Sequence, residues 1–150
     1  MRRVLRIVLV ACVIAGATRG RVSLAMQEHA PQAQQDAVQL AARGAEEWMS
    51  KLDAGKYAEC WTEASEVVKN AVTMEKFESS MKTVREPMGK LESRKLQSAS
   101  YTTLLPGVPP GEYVVILYET SFEHKPTAQE TMIMTREKDK IWRVAGYYIK

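Results

Sequence analysis

Tyr113-Val114-Val115-Ile116-Leu117-Tyr118-Glu119-Thr120-Ser121-Phe122 is the stretch on which the fold turns. It opens apolar on both faces and then alternates, the pattern of a strand buried first on two sides and later on one. Pro106-Gly107-Val108-Pro109-Pro110-Gly111 precedes it, a turn segment that no helix or central strand accommodates. Before that turn, the mostly polar run from Lys90 to Leu104 reads as a first, partly exposed strand. After Phe122, His124-Lys125-Pro126 is expected to turn the chain into a strand from Ala128 to Arg136, with Glu130, Met132 and Met134 on one face. Lys138-Asp139-Lys140 makes a second tight turn into Ile141 to Ile149, where Gly146 marks a bulge or bend. Connections this short between consecutive strands make the sheet antiparallel.

Upstream the period changes to that of a helix. Val38, Ala41, Ala45, Trp48 and Leu52 recur at steps of three and four, and Gly55 is placed to stop that helix. Tyr57, Trp61, Ala64 and Val68 continue the spacing in a second helix. Thr73 caps a third, which carries Phe77, Met81 and Val84 on one face and ends before Pro87-Met88-Gly89. Helices first and strands afterwards give an α+β fold, three N-terminal helices packed on one face of a curved four-stranded antiparallel sheet. Such a sheet cups its helices into a cone, whose open mouth is where a small ligand goes.

The N-terminus reads as an export label. The first 25 residues carry five arginines and no acid around an apolar run from Ile7 to Ala17, followed by Ser23-Leu24-Ala25. Positive end, apolar core and small-residue site in that order make a secretory signal peptide. Two cleavage sites fit, after Ala17 or after Ala25, and the second is preferred because Arg19 and Arg21 lie behind the first. An uncleaved anchor through residues 4–17 is the alternative, although a helix crosses a bilayer with about 20 apolar residues. Leu9-Val10-Ala11-Cys12 resembles a lipoprotein box, but Arg6 interrupts the run before it. Residues 26–34 form a flexible polar leader around Pro31, and 35–150 a single domain.

The chain has 21 basic and 18 acidic residues, a net charge of +3; without the five arginines of the label the balance is 16 against 18. The mature body therefore lacks the basic excess that phosphate backbones require, and nucleic acid is not an expected partner. Cys12 leaves with the label, so Cys60 stands alone in an oxidising compartment without a disulfide partner. Beside Trp61 in a helical stretch, it reads as a small buried apolar group.

Several segments resemble a bacterial family of exported proteins, catalogued as domain of unknown function 4019. They are Ala45 to Trp48, Leu52-Asp53-Ala54-Gly55-Lys56-Tyr57 with Trp61, and Arg85-Glu86-Pro87-Met88-Gly89 followed by Arg94. Further on come Leu105-Pro106-Gly107, Gly111 to Val115, Glu130-Thr131 and Trp142 to Tyr147. The family often has an Asp-Gly turn before the tryptophan strand; here Asp139-Lys140-Ile141 stands instead, leaving the register of that hairpin open. The resemblance implies a nuclear-transport-factor-2-like (NTF2-like, cystatin-like) cone and no particular activity, since that superfamily holds isomerases, dehydratases and plain binding modules.

The isomerase-like members of the superfamily place a carboxylate with a tyrosine or histidine inside the cone, and Glu130 with Tyr147 is the nearest equivalent here. A one-residue slip would send either to the opposite face. Arg85, Arg94 and Arg143 could fork a carboxylate or phosphate, with Trp48 among the aromatic walls. The same arginines could instead pair with Glu86, Glu92 or Glu130 and fasten helix to sheet, which is the favoured role. No cofactor or metal is expected: His29 and His124 lack zinc spacing with Cys60, and Met132 and Met134, which would suit Cu(I), serve equally as core filling.

The sequence thus points to a periplasmic or secreted protein that binds a small molecule or an envelope protein without catalysis. A small lyase or isomerase using Glu130 and Tyr147 is the alternative, and a homodimer through the outer sheet face a further possibility. Membrane contact is expected only through an uncleaved N-terminal segment.

Overall fold

The computed structural model describes residues 22–150, with side chains from residue 31 onward. The part of the signal segment before Val22 lies outside the described residues. Four helices come first: α1 Val22–Asp53, α2 Tyr57–Glu63, α3 Glu66–Ala71 and α4 Met74–Arg85. A 3-10 turn, Glu86–Met88, leads into β1 Leu91–Thr102, β2 Tyr113–Phe122, β3 Lys125–Arg136 and β4 Trp142–Ile149. The strands form one antiparallel sheet in the order β1-β2-β3-β4. The fold is α+β, as the switch of period implies.

α1 crosses the inner face of the sheet and touches all four strands. Its contact stripe is Ala37, Ala41, Ala45, Trp48, Met49 and Leu52, all buried. Three alanines and then the larger Trp48, Met49 and Leu52 make up this stripe, close-packed against the strands. The inner face of the sheet supplies Val114, Ile116, Tyr118, Met132, Met134, Trp142 and Val144. Gly55, at φ +73, ends α1 in a conformation that glycine adopts without cost. At Gly89 the constraint is also steric: a Cβ would lie 2.9 Å from Cβ of Glu123. α1 also takes in residues 26–34, read from the sequence as a leader; residues 31–36 are exposed, and the core begins at Ala37.

Two further details depart from the sequence reading. The expected second helix is two helices, which brings the helix count to four. Ala64 and Ser65 take extended ψ values of 165° and 161°, and the Ser65 N–H donates to the Val144 carbonyl of β4 at 2.9 Å. Docking the chain against the strand outweighs continuing the helix, and Glu137 then caps α3 by accepting from the Glu66 N–H at 2.7 Å. The β2–β3 turn is also tighter than expected. It is Glu123-His124 alone, and Pro126 stands within β3. Pro126 and Thr127 lie opposite the single residue Ser121, a bulge that spares proline a ladder hydrogen bond. Lys140 holds φ +68 where glycine would ease the turn. The bulge expected near Gly146 is present: Ile133 pairs with Gly146 and Met134 with Val144, leaving Ala145 as the extra residue.

Candidate functional site

Under α1, where the sheet's inner face would carry a ligand, polar side chains stand at core positions. Thr120 on β2 and Glu130 on β3 occupy inward positions otherwise held by apolar residues, and Glu130 is 0% exposed. Three neighbouring elements deliver its partners. Arg94 comes from β1, Tyr147 from β4 and Arg85 from the last turn of α4. Glu130 Oε2 accepts from Arg94 Nε and from the Thr120 hydroxyl, each at 2.6 Å. Oε1 accepts from the Tyr147 hydroxyl at 2.6 Å and Arg94 Nη2 at 3.1 Å, with Arg85 Nη1 at 3.6 Å.

Asp53, the last residue of α1, closes the network from above. It accepts from Arg85 Nη2 at 2.5 Å and from Arg94 Nη1 and Nη2 at 2.7 and 3.0 Å. Arg94 is thus forked to two carboxylates at once, and two guanidiniums face two carboxylates. Arg85 also stacks over the Phe122 ring, 4.4 Å from its centroid. The Asp53 carboxylate is the most exposed of the four charges, at one-fifth, and the Arg94 guanidinium follows at 12%.

Burial alone would raise the Glu130 carboxyl, but hydrogen bonds from Arg94, Thr120 and Tyr147 outweigh it and hold it below the ordinary value. Burial first, and then the adjacent Glu130 charge, push the Tyr147 phenol upward. The carboxylate stays ionised and the phenol protonated. A general base works best near ambient pH with a free lone pair aimed at substrate, and Glu130 is displaced from both conditions.

Arg85, Arg94, Glu130 and Tyr147 are therefore brought together, joined to one another. Of the other acids weighed as arginine partners, Glu92 accepts from the Ser121 hydroxyl at 2.8 Å. Trp48 and Arg143 lie elsewhere, on a second feature. Trp48 is buried in the core, donating its indole N–H to the Cys60 carbonyl at 2.8 Å and stacking 5.8 Å from the Tyr147 ring. Its outer edge reaches a cleft of about 430 Å³ between α1, α2, α3 and β4, also lined by Lys51, Glu63, Lys69, Trp142 and Arg143. Arg143 spans the hairpin, donating to Asp139 at 2.7 and 2.9 Å and to Glu137 at 3.0 Å. The Arg143 guanidinium in turn holds the Asp139 carboxyl down to about 2.

Cys60 is fully buried, with Sγ 3.8 Å from the Trp48 carbonyl, and burial pushes its thiol up to about 12. Met132 and Met134 belong to the core cluster, and among the described residues no group of three or more His, Cys, Asp or Glu is placed to hold a metal. No described helix is long and apolar enough to cross a membrane.

Asp53 and Thr120 escaped the sequence reading. Each carries a signal in retrospect: an acid at a helix C-terminus opposes the dipole unless a cation answers it. A threonine at an inward strand position, four residues after Ile116, needs a buried partner.

No curated protein and no solved structure matches the chain. A family model matches residues 44–147, from the α1 glycine to the tyrosine that bonds Glu130, and the chain belongs to that family, described as Protein of unknown function (DUF4019).

Proposed function

We propose that this protein is an exported, non-enzymatic binding module of the bacterial envelope, with an NTF2-like cone whose hollow is filled and whose ligand sits in the cleft beside β4. The observation that carries this reading is the polar network that occupies the space between the helices and the inner face of the sheet. Glu130 and Tyr147, the pair a lyase or isomerase would need, spend their hydrogen bonds on Arg94, Thr120 and each other. The network fastens α1 and α4 to the sheet, a structural task for charged groups. The cleft beside β4, about 430 Å³ and one of several surface clefts of about 360–540 Å³ among the described residues, lies within the ~300–1,000 Å³ typical of small-molecule sites. Export rests on the basic and apolar pattern of residues 1–25. The enzymatic reading has less support because it requires the four-charge network to open.

The test is native mass spectrometry of the protein purified from the envelope fraction without added ligand. The expected result is a chain beginning at Met26 with a small bound species that Lys69→Ala, on the cleft wall, releases. An intact Met1, or a bound species unaffected by Lys69→Ala, would contradict the reading. Homodimerisation through the outer sheet face would appear in light scattering as twice the monomer mass.

A further inference from the structure

We infer that the cleft beside β4 takes a small zwitterion of the amino-acid type, its body lying on Trp142 and Met134. The inference rests on the binding role proposed above and adds the class of ligand. Its starting point is Gly44, in the interior of α1. A glycine there costs helix stability relative to alanine. Packing does not demand it, since a Cβ would meet only Met134 Cε and the Trp142 carbonyl, both at an ordinary 3.5 Å. Gly44, Glu47, Trp48 and Lys51 line the cleft at i, i+3, i+4 and i+7, one stripe of the helix. The missing side chain thus keeps open a space on the cleft wall that alanine would begin to fill.

The charges around that space set the ligand. Lys51 and Glu63 are bound to each other and neutralise one another. Glu47 has no ion pair among the described residues, and Lys69 is held only loosely by Glu66 at 3.6 Å. One acid and one base are left to engage, both on the cleft wall. A plain anion would face the unpaired Glu47 and a plain cation the loosely held Lys69, each a like-charge contact. A ligand with both signs answers both walls. The floor, Trp142 and Met134, is planar and soft and suits the apolar body of such a ligand.

Isothermal titration of the intact mature protein with the twenty common amino acids and glycine betaine tests this. The best binder is then compared with the amine lacking its carboxylate and the acid lacking its ammonium. At least one zwitterion should bind, and both analogues should bind at least about tenfold more weakly. Gly44→Ala should raise the unfolding midpoint by about 2–4 °C yet weaken binding, and Gly44→Leu should abolish it. Equal binding of zwitterion and analogues, or no binding by any of the panel, overturns the inference. The failures are distinguishable. If Gly44→Leu displaces a native ligand of other chemistry, the class is wrong and the binding role stands. If Gly44→Leu leaves the native ligand in place, the cleft is not the site: the inference and the location proposed for the ligand fall together, while binding itself stands.

Discussion

Replacing Glu130 by glutamine tests the ion network at its most buried point. The carboxylate accepts four hydrogen bonds within 3.1 Å, from Arg94 twice, Thr120 and Tyr147. An amide keeps one oxygen and turns the other acceptor into a donor, so at least one of these partners faces N–H. Two guanidiniums, 5% and 12% exposed, are left with Asp53 as their one carboxylate. Breaking a buried ion pair on one side typically costs about 3–5 kcal/mol, a large share of the ~5–15 kcal/mol that stabilises a domain. Urea unfolding followed by tryptophan fluorescence should show the midpoint falling with an unchanged slope. Acid adds a second reading. The folded Glu130 carboxyl lies below its ordinary 4.5, so its contribution is complete above that value and is lost as pH falls through the folded pKa. Wild type should lose this increment on acidification and Glu130→Gln should not. A loss under about 1 kcal/mol for Glu130→Gln would refute the reasoning, because a network that matters to the fold cannot be broken so cheaply.

Three further outcomes follow from the same structure. Thr120→Val keeps the shape and removes one hydrogen bond to a buried carboxylate, and should cost about 1.5–3 kcal/mol in the same urea assay. Lys140→Gly relieves a left-handed residue and should stabilise by about 0.5–1 kcal/mol after the entropy of the added glycine is deducted; destabilisation would mean that the lysine side chain contributes to the hairpin. Cys60, buried and with its thiol pushed up to about 12, should resist a thiol-reactive disulfide reagent in the native state and react fully in urea.

Where the physics is local, the sequence was legible. Thr73 accepts from the Lys76 N–H at 3.4 Å as a capping residue should, and the strand read over Tyr113–Phe122 keeps those limits. Glu130, Met132 and Met134 share the inward face because alternation leaves them no other arrangement. Long-range pairing was less visible. The break at Ala64-Ser65 exists because β4 offers a carbonyl there, and helical spacing cannot register an acceptor nearly eighty residues away. Pro126 entered β3 because a bulge opposite Ser121 excused its missing N–H. Among the site residues, Arg85 and Arg94 were recognised as forks with Glu130 as a partner, but Asp53 was not. It became their second partner only when α1 was laid across the sheet. Arg143 and Trp48, which the sequence groups with those arginines, instead border the separate cleft, Arg143 from β4 and Trp48 from α1.

Carbon-13 NMR of the Glu130 side-chain carboxyl, followed from neutral pH downward, bears most directly on the claim that this carboxylate is structural. The account predicts an ionised group that titrates below its ordinary 4.5 and is unaffected by candidate ligands. A midpoint raised toward neutrality, where a general acid or base operates, would contradict it and return Glu130 and Tyr147 to catalysis.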